Sequence, residues 1–264
     1  MAIFKYELRQ VRGYILAWSL TLAAAIIVML PVYMGFIIGS TMPADFLTGN
    51  EFFNSIGVNM KYLGTPLGVY GFLTSFALIA GAINGMHLGV RVFTKEYMQK
   101  TADYIMTKPY NRTKVYFSKL AAAACACILI GAAFGGGSLA AVFIHVKEGV
   151  DLGAFSLMAF SFVLMQLLFV AVGAFTGTVF PGIRTPLSTA SGVAFVAYVL
   201  GAFSRKTNNA FTSFFSPYIY FDNGRIMEKG SYDPRYMAAF IILLAAFTVI
   251  GYRIYVKKDV VLVS

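Results

Sequence analysis

The sequence predicts an all-α, polytopic membrane protein with six transmembrane helices, a helix lying at the membrane surface at its N-terminus, and a short helix in its main charged loop. Three observations carry that expectation. Of 264 residues, 59% are hydrophobic and only 12% charged, with a mean hydropathy of +0.74; soluble domains carry about a quarter charged residues. The apolar residues fall into six runs, each long enough for the roughly 20 residues that cross a bilayer. Charges cluster in the gaps between those runs and at their ends. The formal net charge of +10 is therefore spread along the apolar segments rather than gathered into a basic patch, which excludes nucleic acid as a partner.

Taken in order, residues 1–13 place Phe4, Leu8 and Val11 on one side of a helix and Lys5, Glu7, Arg9, Gln10 and Arg12 on the others. That pattern suits a helix lying in the interface. The first span, Tyr14 to Ile38, has no charge and carries Pro31, where a kink is expected. It is too long for the apolar core of a signal peptide and is expected to remain in the mature protein. Residues 40–66 are rich in Pro, Gly and Asn and read as a loop. The second span, about Leu67 to Val90, spaces Gly81, Gly85 and Gly89 four apart, a stripe that allows close helix approach. Asn84 and His87 sit near its end; helix-to-helix hydrogen bonding and a hydrated pathway are both open readings.

The third span, about Val115 to Ile144, contains Gly131 and Gly135 to Gly137, where packing or a local break is expected. Its Cys125 and Cys127 point to different faces and predict neither a disulfide nor a metal site. A polar turn leads to the fourth span, about Ala154 to Phe180, with Gly173 and Gly177 four apart. The link Pro181 to Pro186 is so short that the fourth and fifth spans must be antiparallel neighbours. The fifth runs to about Phe203. Residues 204–235 mix charge with Phe211, Phe214, Phe215, Tyr218, Tyr220 and Phe221, an interfacial composition. The sixth span, about Tyr236 to Val256, ends on Lys257, Lys258 and Asp259.

Six spans put both termini on one side. Lys and Arg residues in the segments on that side outnumber those on the other two to one, while acidic residues run the opposite way. The positive-inside rule then predicts cytoplasmic N- and C-termini, with 204–235 extracellular. That orientation gives the cytoplasmic side an attraction for anionic lipid or an acidic protein surface.

The stretch from Arg91 to Lys119 holds a third of all Lys and Arg, opposed only by Glu96 and Asp103. Within it Met98, Ala102, Ile105 and Met106 share one side of a helix, with Lys95, Glu96, Gln99, Lys100 and Asp103 on the other. Glu96 and Lys100 are set for an i,i+4 pair. Pro109 ends this helix, and Asn111 or Thr113 can cap the next. Physics alone fits either a solvated loop helix or a docking helix for a cytoplasmic partner.

The run Glu96, Thr101, Asp103, Lys108-Pro109, Arg112 and Lys119 resembles the signature loop of ABC-2 type exporter permeases, with Lys100 where the family often has glycine. Ser216-Pro217-Tyr218, Tyr220-Phe221-Asp222, Tyr232-Asp233-Pro234 and the closing Lys257-Lys258-Asp259-Val260 are similar to the end of such subunits. The resemblance covers essentially the whole chain, residues 1–264, as one permease domain. It implies that residues 91–119 form a cytoplasmic coupling loop, its helix seated in a groove of an ATP-hydrolysing subunit. Glu96, Tyr97, Thr101, Asp103, Tyr104, Lys108, Pro109 and Arg112 are the coupling residues it implies. It further implies a second permease subunit, identical or not, and a bacterial cytoplasmic membrane location.

The sequence has no G-x-x-x-x-G-K-[ST] loop, so ATP and Mg would be bound by the separate ABC ATPase. No HExxH, GxSxG or CxxC motif is present, and the chain is not expected to be an enzyme. No span carries a central Asp, Glu, Lys or Arg, as an ion-driven carrier would require. The expectation is the transmembrane permease subunit of an ATP-driven exporter, working as a dimer among membrane lipids. Its apolar walls suit a hydrophobic or amphipathic peptide or a lipid-like compound. The rivals are a non-transporting scaffold or sensor that recruits a cytosolic partner through the basic loop, and an ion-driven carrier or channel.

Overall fold

The computed structural model describes residues 2–38, 60–99, 111–146, 150–207 and 209–257, and among these there is helix and no strand. The elements are α1 (Ala2–Gln10), α2 (Arg12–Ile37), a 3-10 turn (Met60–Tyr62), α3 (Pro66–Met98), α4 (Arg112–His145), α5 (Leu152–Val179), α6 (Pro186–Thr207), α7 (Ala210–Ser213), α8 (Pro217–Tyr220), α9 (Asn223–Lys229) and α10 (Pro234–Lys257). Six of them, α2 to α6 and α10, are long and apolar enough to cross a membrane. Local chemistry marks several ends. Thr65 Oγ1 accepts from Gly68 N at 3.1 Å with Pro66 at the first helical position, and Asp151 Oδ1 accepts from Gly153 N at 2.8 Å. Asn111, not Thr113, caps α4, its Oδ1 accepting from Thr113 N at 2.9 Å. Gly230 ends α9 at φ 60°, a conformation that costs glycine little.

The bundle is built on α3 and α5. A Cβ at Gly85 would stand 2.3 Å from the Gln166 carbonyl oxygen, one at Gly89 2.4 Å from that of Val170, and one at Gly173 2.5 Å from that of Met86. The glycine stripe of α3 is therefore pressed against α5, backbone on backbone, as small residues allow in a membrane. On α4 the glycines divide. Gly131 meets Val163 of α5 and Gly137 meets Ala23 of α2, whereas Gly135 and Gly136 face open space. The α4 helix is continuous through all of them, and α2 is continuous through Pro31.

Around this pair, α2 lies on α4, α6 on α3, and α10 on α5. One core cluster runs along the bundle around Tyr70, Leu78, Met86, Phe134, Phe155 and Phe162. A smaller one, around Val11, Phe93, Tyr116 and Ala126, sits at the end that holds α1 and the last turns of α10. Leu16 and Leu20 of α2, Phe195 and Val199 of α6, and Ile241 and Ile242 of α10 are exposed and apolar, as a face toward hydrocarbon requires. At the far end the interfacial segment folds into α7, α8 and α9. Asn223 Nδ2 donates to the Gly71 carbonyl at 2.8 Å, Tyr232 Oη to the Leu157 carbonyl at 2.6 Å, and Ser216 Oγ to the Ala197 carbonyl at 2.8 Å. These bonds fasten that end to α3, α5 and α6.

The largest departure from expectation concerns the charged stretch. Instead of ending near Val90, α3 runs through to Met98, and α4 begins at Arg112. Of the amphipathic helix expected around Glu96 to Met106, the described part is the last turn of α3. Its polarity is inverted: Glu96 is buried, while Met98 is 48% exposed. A helix already packed on α4 faces inward where its neighbour offers a cation, which periodicity within one segment does not register.

Candidate functional site

The end of α3 at Met98 and the start of α4 at Arg112 lie with α1 and the end of α10 at one end of the bundle, and ion pairs brace α3 there. Lys95 and Glu96 are adjacent on α3, so their side chains diverge by about 100° around the helix and reach different neighbours. The Lys95 ammonium pairs with the Glu7 carboxylate of α1 and donates to Gln10 Oε1 at 2.6 Å. The Glu96 carboxylate pairs with the Lys119 ammonium of α4, which also donates to the Val92 carbonyl at 2.9 Å. Glu7, Glu96 and Lys119 are 3%, 7% and 3% exposed.

Charges so far from water persist only when matched, since a buried pair that loses one partner leaves an uncompensated charge. The four residues tie α1, α3 and α4 into one body. This corrects the reading of Glu7 as a solvated residue on an interfacial helix. Phe4 and Leu8 are half-buried and Lys5, Arg9 and Arg12 exposed, while Glu7 turns inward as the anion that α3 requires.

The start of α4 is joined in turn to the end of α10. Arg112 Nη1 donates to the Val256 carbonyl at 2.9 Å, Thr113 Oγ1 lies 3.0 Å from Tyr252 Oη, and Tyr116 Oη donates to the Thr248 carbonyl at 3.0 Å. The Tyr116 ring is 5.0 Å from Phe93 and 5.6 Å from Tyr255 between centroids, and Phe93 is 5.7 Å from Tyr255. Such aromatic contacts add about 0.5–1.5 kcal/mol per pair beyond area. The last turns of α3 and the first turns of α4 are thus held against α1 and α10.

One level deeper, a chain of polar groups crosses four helices. The donor directions are fixed by what each group can accept. His87 Nδ1 lies 3.1 Å from Tyr14 Oη, which donates to Asn84 Oδ1 at 2.5 Å; Asn84 Nδ2 donates to Gln166 Oε1 at 2.6 Å, and Gln166 Nε2 to the Cys127 carbonyl at 3.3 Å. Because the tyrosine proton is committed to Asn84, the imidazole donates through Nδ1, the neutral tautomer sufficing. Asn84 and Gln166 are wholly buried and fully engaged, so helix-to-helix bonding accounts for Asn84, His87 and Gln166 together.

Of the expected coupling residues, Glu96 and Tyr97 lie in the last turn of α3, Tyr97 half-buried, and Arg112 opens α4. Thr101, Asp103, Tyr104, Lys108 and Pro109 lie outside the described residues. Glu7, Lys95 and Tyr14 were not singled out from the sequence, and Lys119 stood only as the end of a motif. For Glu7 there was a signal: it is the sole acid among the basic residues of α1.

Comparison with known proteins agrees with this architecture. Residues 1–260 match the family model described as ABC-2 family transporter protein. No curated protein matches the chain. The chain belongs to the ABC-2 transporter family and is a multi-pass membrane subunit of the permease kind.

Proposed function

We propose that this ABC-2 permease subunit takes up the motion of a separate ABC ATPase through residues 99–111 and uses it to export a hydrophobic or amphipathic cargo. The observation that carries the reading is the double ion pair at Lys95 and Glu96. It stands in the last turn of α3, next in sequence to residues 100–110, and would spread a push on that turn over three helices instead of one. In this reading the end with the termini is cytoplasmic, in a bacterial plasma membrane, and the exposed basic residues Lys5, Arg9 and Arg12 face anionic head groups. Thr101, Asp103, Tyr104, Lys108 and Pro109 would contact the ATPase, which binds ATP and Mg. Glu96 transmits from within the bundle.

Export as a dimer is favoured by the outward faces of α2, α6 and α10, which offer long apolar surfaces that a second subunit or lipid can cover. A hydrophobic peptide or lipid-like cargo fits spans that carry no charge at their centres.

The test replaces residues 100–110 by a glycine-serine linker of equal length, keeping Glu96, Arg112 and Lys119. The intact chain, purified in mild detergent from its native membrane, should bring down an ABC ATPase in near-equal amount with ATP hydrolysis that responds to cargo. The linker variant should insert and fold but lose both. An ATPase that still binds and still couples to the linker variant overturns the coupling assignment. A chain that purifies alone or with an unrelated cytosolic protein favours a scaffold.

A further inference from the structure

We propose that a cavity between α1 and the first turns of α4 is a binding site for one phospholipid of net negative charge, its phosphate held by Lys5 and Lys114. The cavity measures about 580 Å³. Phe4 and Lys5 form its α1 wall, and its α4 wall runs from Asn111, Thr113 and Lys114 to Phe117 and Ala121.

The order of these residues along α4 matches the order of groups in a lipid. Asn111, Thr113 and Lys114 stand at the start of the helix, where the chain enters its membrane span, and Phe117 and Ala121 lie about one and two turns further in. At 1.5 Å per residue the step from Lys114 to Ala121 is about 10 Å. Phe4 lines the same space from α1. The cavity is therefore cationic and polar at its outer end and apolar below, with Phe117 46% exposed.

Charge selects the head group. The ion pairs among the described residues engage Lys61, Lys95, Lys119, Arg205 and Arg225, and neither Lys5 nor Lys114 takes part. Glu7, the one acid of α1, is turned inward onto Lys95. Among the described residues that line the cavity there is no Asp or Glu. The neutral acceptors there are engaged: Asn111 Oδ1 takes the Thr113 backbone N–H at 2.9 Å, and Thr113 Oγ1 lies 3.0 Å from Tyr252 Oη. Two ammonium groups thus share one space with no carboxylate among its walls. A phosphodiester supplies the missing charge and accepts from both. A zwitterionic head group would bring a third ammonium and find no carboxylate to receive it.

An acidic protein surface would meet the lysines equally well but would leave the apolar inner half unfilled, whereas a lipid tail runs on past Phe4, Phe117 and Ala121. A lipid seated there joins α1 to α4 beside the pairs Glu7–Lys95 and Glu96–Lys119, which hold the same two helices to α3. The site stands whether or not an ATPase drives the protein.

The test titrates radiolabelled phosphatidylglycerol against the purified full chain in mixed micelles of detergent and phosphatidylcholine, and counts the lipid that stays with the protein through gel filtration. One saturable phosphatidylglycerol per chain is expected, bound at least about tenfold more tightly than phosphatidylcholine. Lys5→Gln and Lys114→Gln should each weaken it about fivefold, equivalent to about 1 kcal/mol per lysine, and the double variant about thirtyfold. Ala121→Trp keeps both lysines, fills the apolar half and should abolish retention; Ala121 is exposed, so the larger side chain leaves the core intact. Arg9→Gln removes an exposed charge of α1 outside the cavity and should bind as the wild type does. No saturable phosphatidylglycerol, equal retention of phosphatidylcholine, or equal weakening by Arg9→Gln and Lys5→Gln overturns the proposal, the last by reducing it to diffuse surface attraction. Amine labelling of Lys5 and Lys114 that phosphatidylglycerol leaves unchanged but a bound cytosolic protein blocks also overturns it, and assigns the cavity to that protein.

Discussion

Replacing Lys119 by methionine removes the cation that Glu96 faces inside the bundle, together with the donor to the Val92 carbonyl. Glu96 is 7% exposed, so its carboxylate has little water to turn to. Breaking a buried pair at one partner costs about 3–5 kcal/mol, and Lys119→Met should fall in that range. Glu96→Leu should cost about as much, because it strands the ammonium instead. The double variant removes both charges and fills the site with apolar side chains, an exchange that is often neutral or stabilising by about 1–4 kcal/mol. The double-mutant cycle should therefore give a coupling of about 6 kcal/mol or more, above the roughly 0.5–3 kcal/mol usual for contacting residues. The charge-reversed pair Glu96→Lys with Lys119→Glu should recover only part of the loss, since a glutamate at 119 cannot donate to Val92; a hydrogen bond to a charged group contributes about 1.5–3 kcal/mol. Equilibrium unfolding in mixed micelles with rising dodecyl sulfate, followed by the fluorescence of the one tryptophan, Trp18, measures each value. Single variants that each cost less than about 1 kcal/mol and simply add would mean that the pair is solvated like a surface salt bridge, and the stiff junction inferred here would not exist.

The same unfolding assay separates the glycines. Gly85→Ala and Gly89→Ala place a Cβ 2.3–2.4 Å from a carbonyl oxygen of α5 and should force the helices apart, with severe loss of folded protein. Gly135→Ala and Gly136→Ala meet nothing within 4 Å and should be neutral or stabilising by up to ~1 kcal/mol through helix propensity; equal behaviour of the two sets would contradict the packing. Gln166→Leu removes the bonds to Asn84 and Cys127 and should destabilise by about 1–2 kcal/mol, given ~0.6 kcal/mol for an average interhelical bond in a membrane. An unchanged midpoint would show that the polar chain adds nothing to stability. Asp151→Ala removes the cap of α5 and should cost about 1 kcal/mol, read as a lower melting temperature.

Much of the fold is legible in the sequence because the bilayer leaves few choices. A segment in hydrocarbon must satisfy its own backbone, so each apolar run near 20 residues becomes a helix, and the six observed spans lie within a few residues of those expected, α3 excepted. The exception has a physical cause. Arg91, Lys95 and Glu96 look like the edge of a loop to any rule that reads charge as water. The helix nevertheless continues because Lys95 and Glu96 find opposite charges on α1 and α4. Those partners are 88 and 23 residues away in the chain, and no pattern within α3 announces them.

The glycine stripes show the same division. Spacing of four on α3 and α5 marks a close-packing face, but only the assembled bundle decides that Gly85 and Gly89 abut α5 while Gly135 and Gly136 abut nothing. Likewise the residue types Asn84, His87 and Gln166 announce polar bonding within a membrane, while their union through Tyr14 depends on where α2 crosses α3. The sequence by itself thus determined the class, the number of spans and the family, since these follow from hydropathy and motif order along one dimension. Tertiary structure alone decided which charges are buried and which glycines bear a neighbour, because those depend on distances between helices that the chain order does not encode.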